Sequence, residues 1–242
     1  MNSIEFVDWP APASVRACFT TRVGGVSQDA FSSFNLARHV GDETDRVEHN
    51  RRTLISLIGV PVCWLNQVHG AGVVVASEQY IGTDADAAWV SGPGIAAAVM
   101  TADCLPVFLC HQDGTRAAVL HAGWRGLLAG IIEATVQQCV NSGEQWMAYL
   151  GPAIGPGAFE VGQEVKDAYL LQNPANVVAF FPLPTAGKYL ADIYQLARIR
   201  LFNLGIRQVY GGHYCTVTEK ERFFSYRRDR QTGRMASLIW IE

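Results

Sequence analysis

Residues 95–126 read IAAAVMTADCLPVFLCHQDGTRAAVLHAGWRG. Three short apolar runs, 95–101, 105–110 and 117–121, follow one another with only turn residues between them, which reads as three consecutive strands. Asp103 and Pro106 interrupt the stretch, so it cannot be a membrane span. Upstream, 15–21, 62–68, 73–76 and 87–90 have the same strand character. Downstream, 147–150, 177–181, 208–210 and 236–241 add more. Helical spacing is confined to a few segments. In 42–58, Val47, Leu54, Ile55 and Ile58 share a face, with Asp42 or Thr44 as cap and Gly59 then Pro61 as the stop. Asn50 falls inside that stripe and needs a partner, either in the core or at a site. Leu128, Ile131, Ile132, Thr135, Val136 and Cys139 line a second helix that Gly143 can end. Others are expected over 163–171 and from Asp192, with Ile193, Leu196, Ala197, Leu201 and Leu204 in its stripe. Long series of strands with irregularly interspersed helices predict an α+β fold rather than a regular βαβ winding.

The remaining composition narrows the class. The chain has 242 residues, 49% of them hydrophobic and 17% charged, enough to bury a sizeable core and too apolar for disorder. No linker, repeat or low-complexity tract divides it, so one domain over 1–242 is expected. A formal charge of −3 argues against nucleic acid as partner. The N-terminus has no basic segment leading into an apolar one, and no run is long enough to cross a membrane. Six cysteines, at 18, 63, 104, 110, 139 and 215, form no CxxC pair. A cytoplasmic, reducing setting is expected.

Three segments put a reactive side chain at the end of an apolar run beside turn residues: NQVHG (66–70), TADCLP (101–106) and HAGWRG (121–126). Their reactive members are His69, Cys104 and His121. Two imidazoles and a thiolate suit a three-ligand zinc site. The same sulfur beside an imidazole is also an acyl-transfer nucleophile. Spacings of 35 and 17 residues match no compact metal motif, and the residues alone leave both chemistries open. HAGWRG runs into a helix start near Leu127, where Arg125 could bind an anion, although a tight turn explains the glycines equally well. DAD (84–86) reads as a solvated turn or as a support for a ligand histidine. GPAIGPGAFEVG (151–162) reads as a rigid turn, and Arg227 with Arg228 as an anion contact or, more commonly for a run of charges, a solvated face.

Taken in order, FTTRVGGVS (19–27), FNLA (34–37), GD (41–42), NQVHG, DAD, TADCLP, HAGWRG, GPAIGP with FEVG, and the late SYRR with GR resemble the YfiH-like, or laccase-domain, family over nearly the whole chain. The resemblance implies a four-layer α/β/β/α arrangement of mixed sheets, akin to a group classed as cysteine hydrolases. It implies zinc held by His69, Cys104 and His121, with copper able to occupy the same site. Activities credited to the family are purine nucleoside phosphorolysis, adenosine deamination, polyphenol oxidation and editing of peptidoglycan precursors. A multi-copper centre needs many imidazoles. This chain has six histidines, and His39, His49, His111 and His213 show no HxH pairing. The expectation is therefore a zinc-dependent purine nucleoside phosphorylase with adenosine deaminase side activity. Its partners are a nucleoside and phosphate, with no protein partner evident. Arg125 is the expected phosphate contact, Arg22 and Asn35 substrate contacts, and Asp103 or Asp86 the proton carrier for deamination. The rival is amide hydrolysis by Cys104, with a histidine as base, on a cell-wall precursor.

Overall fold

The computed structural model describes residues 2–139 and 145–242. In chain order the strands are β1 (Ile4–Phe6), β2 (Val15–Thr20), β3 (Val62–Trp64), β4 (Val73–Val75), β5 (Ala87–Val90), β6 (Ala96–Thr101) and β7 (Leu105–His111). They continue as β8 (Ala117–Ala122), β9 (Trp146–Leu150), β10 (Glu160–Gly162), β11 (Phe180–Pro182), β12 (Lys188–Ala191), β13 (Gln208–Gly211) and β14 (Met235–Ile241). The helices are α1 (Thr44–Ile58), α2 (Trp124–Leu128), α3 (Ile131–Cys139), α4 (Gln163–Gln172), α5 (Ile193–Asn203) and α6 (Tyr226–Asp229).

Two mixed sheets carry the fold. One has the order β1-β2-β14-β6-β3 and the other β13-β9-β7-β8-β5-β4. Alternation along each strand assigns its side chains to layers. In β7, Leu105, Val107 and Leu109 face a core built with α2, α3, α4 and α5, while Phe108 and Cys110 face the other sheet. In β6, Ala97 and Val99 face that same inter-sheet core, while Ala96, Ala98 and Met100 pack with Leu54 of α1. The result is α1, sheet, sheet, and the remaining large helices: a four-layer α/β/β/α stack in one α+β domain. Each fully buried Leu, Val or Phe of these strands contributes about 1.5–3 kcal/mol. A small third sheet, β10-β12-β11, covers one end.

Differences from the expected elements have local causes. The first helix begins at Thr44 with Glu43 as N-cap; Asp42 instead accepts hydrogen bonds from Ser27 and Asn35. Val47 and Leu54 are buried, but Ile55 is 36% exposed, so the apolar face is narrower than its spacing suggested. The strand expected over 62–68 stops at Trp64. Beyond it the Gln67 carboxamide both donates to Met100 O (2.8 Å) and accepts from Met100 N–H (2.7 Å), replacing a backbone ladder step. The helix expected from Leu128 to Cys139 is two helices, broken at Gly130, whose φ of +83 no helix accommodates. Its Gly143 stop lies outside the described residues. Residues 174–179 form a 3-10 turn capped by the Asn173 side chain, leaving only Phe180–Pro182 as strand.

Candidate active site

All three reactive segments lie where strands end. The chain leaves β3 through a turn that puts His69 at φ +60; Cys104 sits in the joint between β6 and β7, just after Asp103 at φ +90; His121 is the penultimate residue of β8. Two non-glycine residues at positive φ within one site mark backbone held in place by its surroundings. Asp86 does much of the holding. Its buried carboxylate accepts from the His121 Nδ1 side (2.8 Å) and from the backbone N–H groups of His69 (3.0 Å) and Gly70 (2.7 Å). Asp84 accepts from Asn66, so the DAD segment fastens the NQVHG turn from end to end. The Asp103 carboxylate accepts from Thr216 Oγ1 and from Arg227 N–H, both at 2.6 Å. Asp86 and Asp103 thus spend their oxygens on scaffolding.

The ligand atoms of His69, Cys104 and His121 lie within 4.8 Å of one another, and the two imidazoles meet edge to face at 4.7 Å. Burial opposes ionisation of the Cys104 thiol, but the charge of His121 and hydrogen bonds from His121 and His69 outweigh it and bring the thiol below its ordinary value. Burial likewise opposes charge on His121, and Cys104 with Asp86 raises it nonetheless. Two imidazole nitrogens and a sulfur that ionises readily fit zinc or copper, and not an oxygen-seeking ion such as magnesium. Asp86 on the far nitrogen of His121 is the support such a ligand needs. Among the described residues this is the one such cluster, and His111 and His213 are engaged elsewhere, with Gln145 and Tyr214. A multi-copper arrangement does not fit.

His69 and Cys104 line both lobes of a cleft, and His121 lines the larger one. The larger, about 430 Å³, is lined by His39, Gln67, Met100, Thr101 and Arg234 as well as by the cluster. The smaller, about 260 Å³, is lined by Asp103, Trp124, Arg125, Ile154, Phe159 and Arg227. Tyr226 borders both.

Of the residues expected at the site, Arg125 reaches it: exposed, it lies over the Trp124 ring at 4.4 Å on the smaller lobe. Helix α2 starts at Trp124, with Gly123 as N-cap, and has only five residues. Arg22 and Asn35 do not reach it. Arg22 donates to Ser32 O and Lys220 O beside a separate surface groove. Asn35 is fully buried and holds Ala37, Asp42 and the N–H of Arg234. Asn50, the polar residue in the α1 stripe, ties the same N-terminal segments together through Val26, Ser27, Ser33 and Asn35. The FTTRVGGVS and FNLA segments are therefore framework behind the cleft. Arg227 and Arg228 are no solvated face either: Arg227 donates to Ala158 O and Glu160 O, and Arg228 to Thr216, Val217 and Phe223 carbonyls. Tyr226, Arg234 and Gln67 escaped the sequence reading, although each lies in or beside a segment it had singled out.

The family described as multi-copper polyphenol oxidoreductase laccase matches residues 16–242. A Pseudomonas aeruginosa protein named as a purine nucleoside phosphorylase is 51% identical over 242 residues, covering all of both chains. The Escherichia coli K12 protein named purine nucleoside phosphorylase YfiH is 50% identical over 244 residues, again covering both. Among solved structures, a Neisseria meningitidis protein is 50% identical with a TM-score of 0.97 over 100% of each chain. YlmD of Geobacillus stearothermophilus is 29% identical with a TM-score of 0.89, covering 97% of this chain and 94% of its own.

Proposed function

The chain belongs to this YfiH-like, laccase-domain family, and on that footing we propose that it is a zinc-dependent purine nucleoside phosphorylase, formed by one domain over 1–242. The observation that carries the reading is the cluster of His69, Cys104 and His121 lining a nucleoside-sized lobe, with His69 and Cys104 also lining a small arginine-bearing one. Relatives of half identical sequence that bear this name support it. The nucleoside occupies the larger lobe and phosphate the smaller, where Arg125 and Arg227 supply positive charge. A phosphate oxygen then bonds to C1′ as the bond from C1′ to N9 breaks. The electron pair departs with the purine, which takes up the proton that the hydrogen phosphate gives up, leaving free base and ribose 1-phosphate. Tyr226, bordering both lobes, keeps the reactants together and excludes water. His69, Cys104 and His121 hold the zinc; when bound it supplies positive charge and Lewis acidity there. Copper would find the same donors, giving at most weak oxidase activity. Adenosine turned so that C6 meets the cluster would be deaminated as a side reaction.

A second reading has its own support: Cys104, His121 and Asp86 form a thiol, imidazole and carboxylate series suited to amide hydrolysis of a peptidoglycan precursor. No helix of the described residues is long and apolar enough to cross a membrane. With six free cysteines, the cytoplasm is the compartment we propose.

Product analysis of metal-quantified protein with inosine or adenosine, with and without phosphate, tests this. Free base and ribose 1-phosphate should appear only with phosphate and in proportion to bound zinc. Arg125→Ala should raise the phosphate KM about 10- to 100-fold, the loss of one charge-assisted contact. Free base released without phosphate, or neither free base nor ribose 1-phosphate at full zinc occupancy, would sink the phosphorylase reading; in the second case Cys104 hydrolysis takes its place.

A further inference from the structure

We propose that Gln67 is a positioning residue for the metal cluster: its carboxamide fixes the His69 turn against the strand that leads to Cys104. The inference rests on reading His69, Cys104 and His121 as metal ligands, and not on which reaction the cleft performs. Strand β6 pairs with β3 only as far as Ala98, opposite Trp64. On its other side Met100 stands opposite Ala236 of β14, whose N–H donates instead to Thr20 Oγ1. Met100 therefore turns both its N–H and its C=O toward the side that β3 has left. Met100 is buried, and both groups find the side chain of Gln67. The N–H donates to Oε1 (2.7 Å), and the carbonyl accepts from Nε2 (2.8 Å).

What this clamp fastens is the spacing of the ligands. Gln67 comes just before Val68 and His69, and Met100 leads through Thr101, Ala102 and Asp103 to Cys104. Asp86 holds the same turn from the other side. It stands at the entry to β5 and accepts from His121 and from the N–H groups of His69 and Gly70. One carboxylate thus references His69 to His121, on the sheet that contains β5 and β8. Strand β6 belongs to the other sheet, and the Gln67 amide is what ties the turn to it. His69 has a φ of +60, which a non-glycine residue keeps only where its surroundings hold it. Without the clamp, Asp86 would keep His69 beside His121 while the turn swings relative to Cys104. Gln67 also lines the larger lobe, so a direct substrate contact is the competing role. Its engagement with Met100 through both amide atoms favours positioning.

The test compares wild type with Gln67→Met, which keeps the length of the side chain and removes the amide. Gln67→Asn, whose amide stops a methylene short of Met100, answers in its place if Gln67→Met does not fold. Zinc affinity is measured by competition with a chromogenic chelator, and the cobalt-substituted proteins are compared by absorption. The variant should bind zinc about tenfold or more weakly and shift or weaken the thiolate-to-cobalt charge-transfer band. At saturating zinc, kcat should fall while the nucleoside KM stays within about threefold of wild type. The band is read on folded, loaded protein, so a general loss of stability does not mimic it. Zinc affinity within about twofold of wild type together with an unchanged band overturns the inference. A raised KM accompanying that unchanged band makes Gln67 a substrate contact instead. If no nucleoside is phosphorolysed, the phosphorylase reading falls, and affinity and band still decide the role of Gln67. If wild type takes up no metal, the metal reading falls and alkylation of Cys104 by iodoacetamide decides. Alkylation slowed about threefold or more in the variant sustains the Gln67 assignment, because a displaced His69 no longer hydrogen-bonds the thiol. Equal rates overturn it.

Discussion

Replacing Asp86 by Asn changes a few atoms at the point on which the site is hung. The carboxylate is fully buried and accepts from His121 and from the backbone of His69 and Gly70. A carboxamide has one acceptor oxygen, so an NH2 group must face either the Gly70 N–H or the imidazole together with the His69 N–H. Hydrogen bonds to a charged acceptor are worth about 1.5–3 kcal/mol each, and breaking one side of a buried pair costs about 3–5 kcal/mol. We expect a loss of about 3 kcal/mol in urea unfolding of metal-free protein at pH 7. For a chain of this length that corresponds to about 6–12 °C in Tm. Burial alone would raise the Asp86 carboxyl pKa, but His121 and the N–H groups of Gly70 and His69 more than offset it, and the folded value lies below the ordinary 3.8. The stabilisation is therefore complete above about pH 4 and is lost as the pH falls through the lowered folded value. The gap between wild type and variant should close in that acidic window. Metal affinity should fall about 10- to 100-fold. A gap below about 1 kcal/mol at pH 7, or one that persists unchanged into acid, would refute the reasoning.

Asn50→Leu, nearly the same size, should cost about 2–4 kcal/mol in urea unfolding, because it takes the partners from the Val26 N–H and the buried Asn35 carbonyl and breaks the links to Ser27 and Ser33. Gly123→Ala is a local probe of the cluster: a Cβ there would lie 2.9 Å from Cys104 Sγ and 3.6 Å from His121 Nε2. Since Gly123 has an ordinary φ of −64, stability should change by no more than about 1–3 kcal/mol, while metal titration shows affinity lowered more than tenfold.

The strands that matter most were legible because their apolar runs are short and bounded. Strands β6, β7 and β8 match their expected limits to within one residue. The break at Gly130 was hidden, since Leu128, Ile131, Ile132, Thr135 and Cys139 keep helical spacing across it and periodicity is blind to a change of axis. The end of β3 was hidden because a side chain, Gln67, takes over the pairing and a run of apolar letters continues. The third sheet consists of strands of three or four residues with half their side chains exposed, too short for a pattern. As for the site, spacing said nothing about His69, Cys104 and His121 because sheet pairing, not chain proximity, brings them together. Their position at the ends of apolar runs was the usable signal. Arg227, Arg228 and Arg234 were misread or passed over because a basic run looks the same whether its acceptors are water or backbone carbonyls. Arg22 and Asn35 show the converse, since membership of a distinctive segment does not distinguish the cleft from the frame behind it.

The joint at 102–104 has a consequence for how such a chain can diversify. Here the polypeptide steps from one sheet to the other within three residues, and β6 and β7 on either side are almost wholly buried. An inserted or deleted residue at this crossing would have to be absorbed by sliding one sheet over the other, inverting every side chain of the shared core on one strand. At Gly82, Gly92 and Gly94, by contrast, a side chain would meet nothing within 4 Å, and length can vary there without disturbing the layers. Proteins built on this plan are thus free to lengthen at the periphery, while the position of Cys104 is tied to the architecture as a whole.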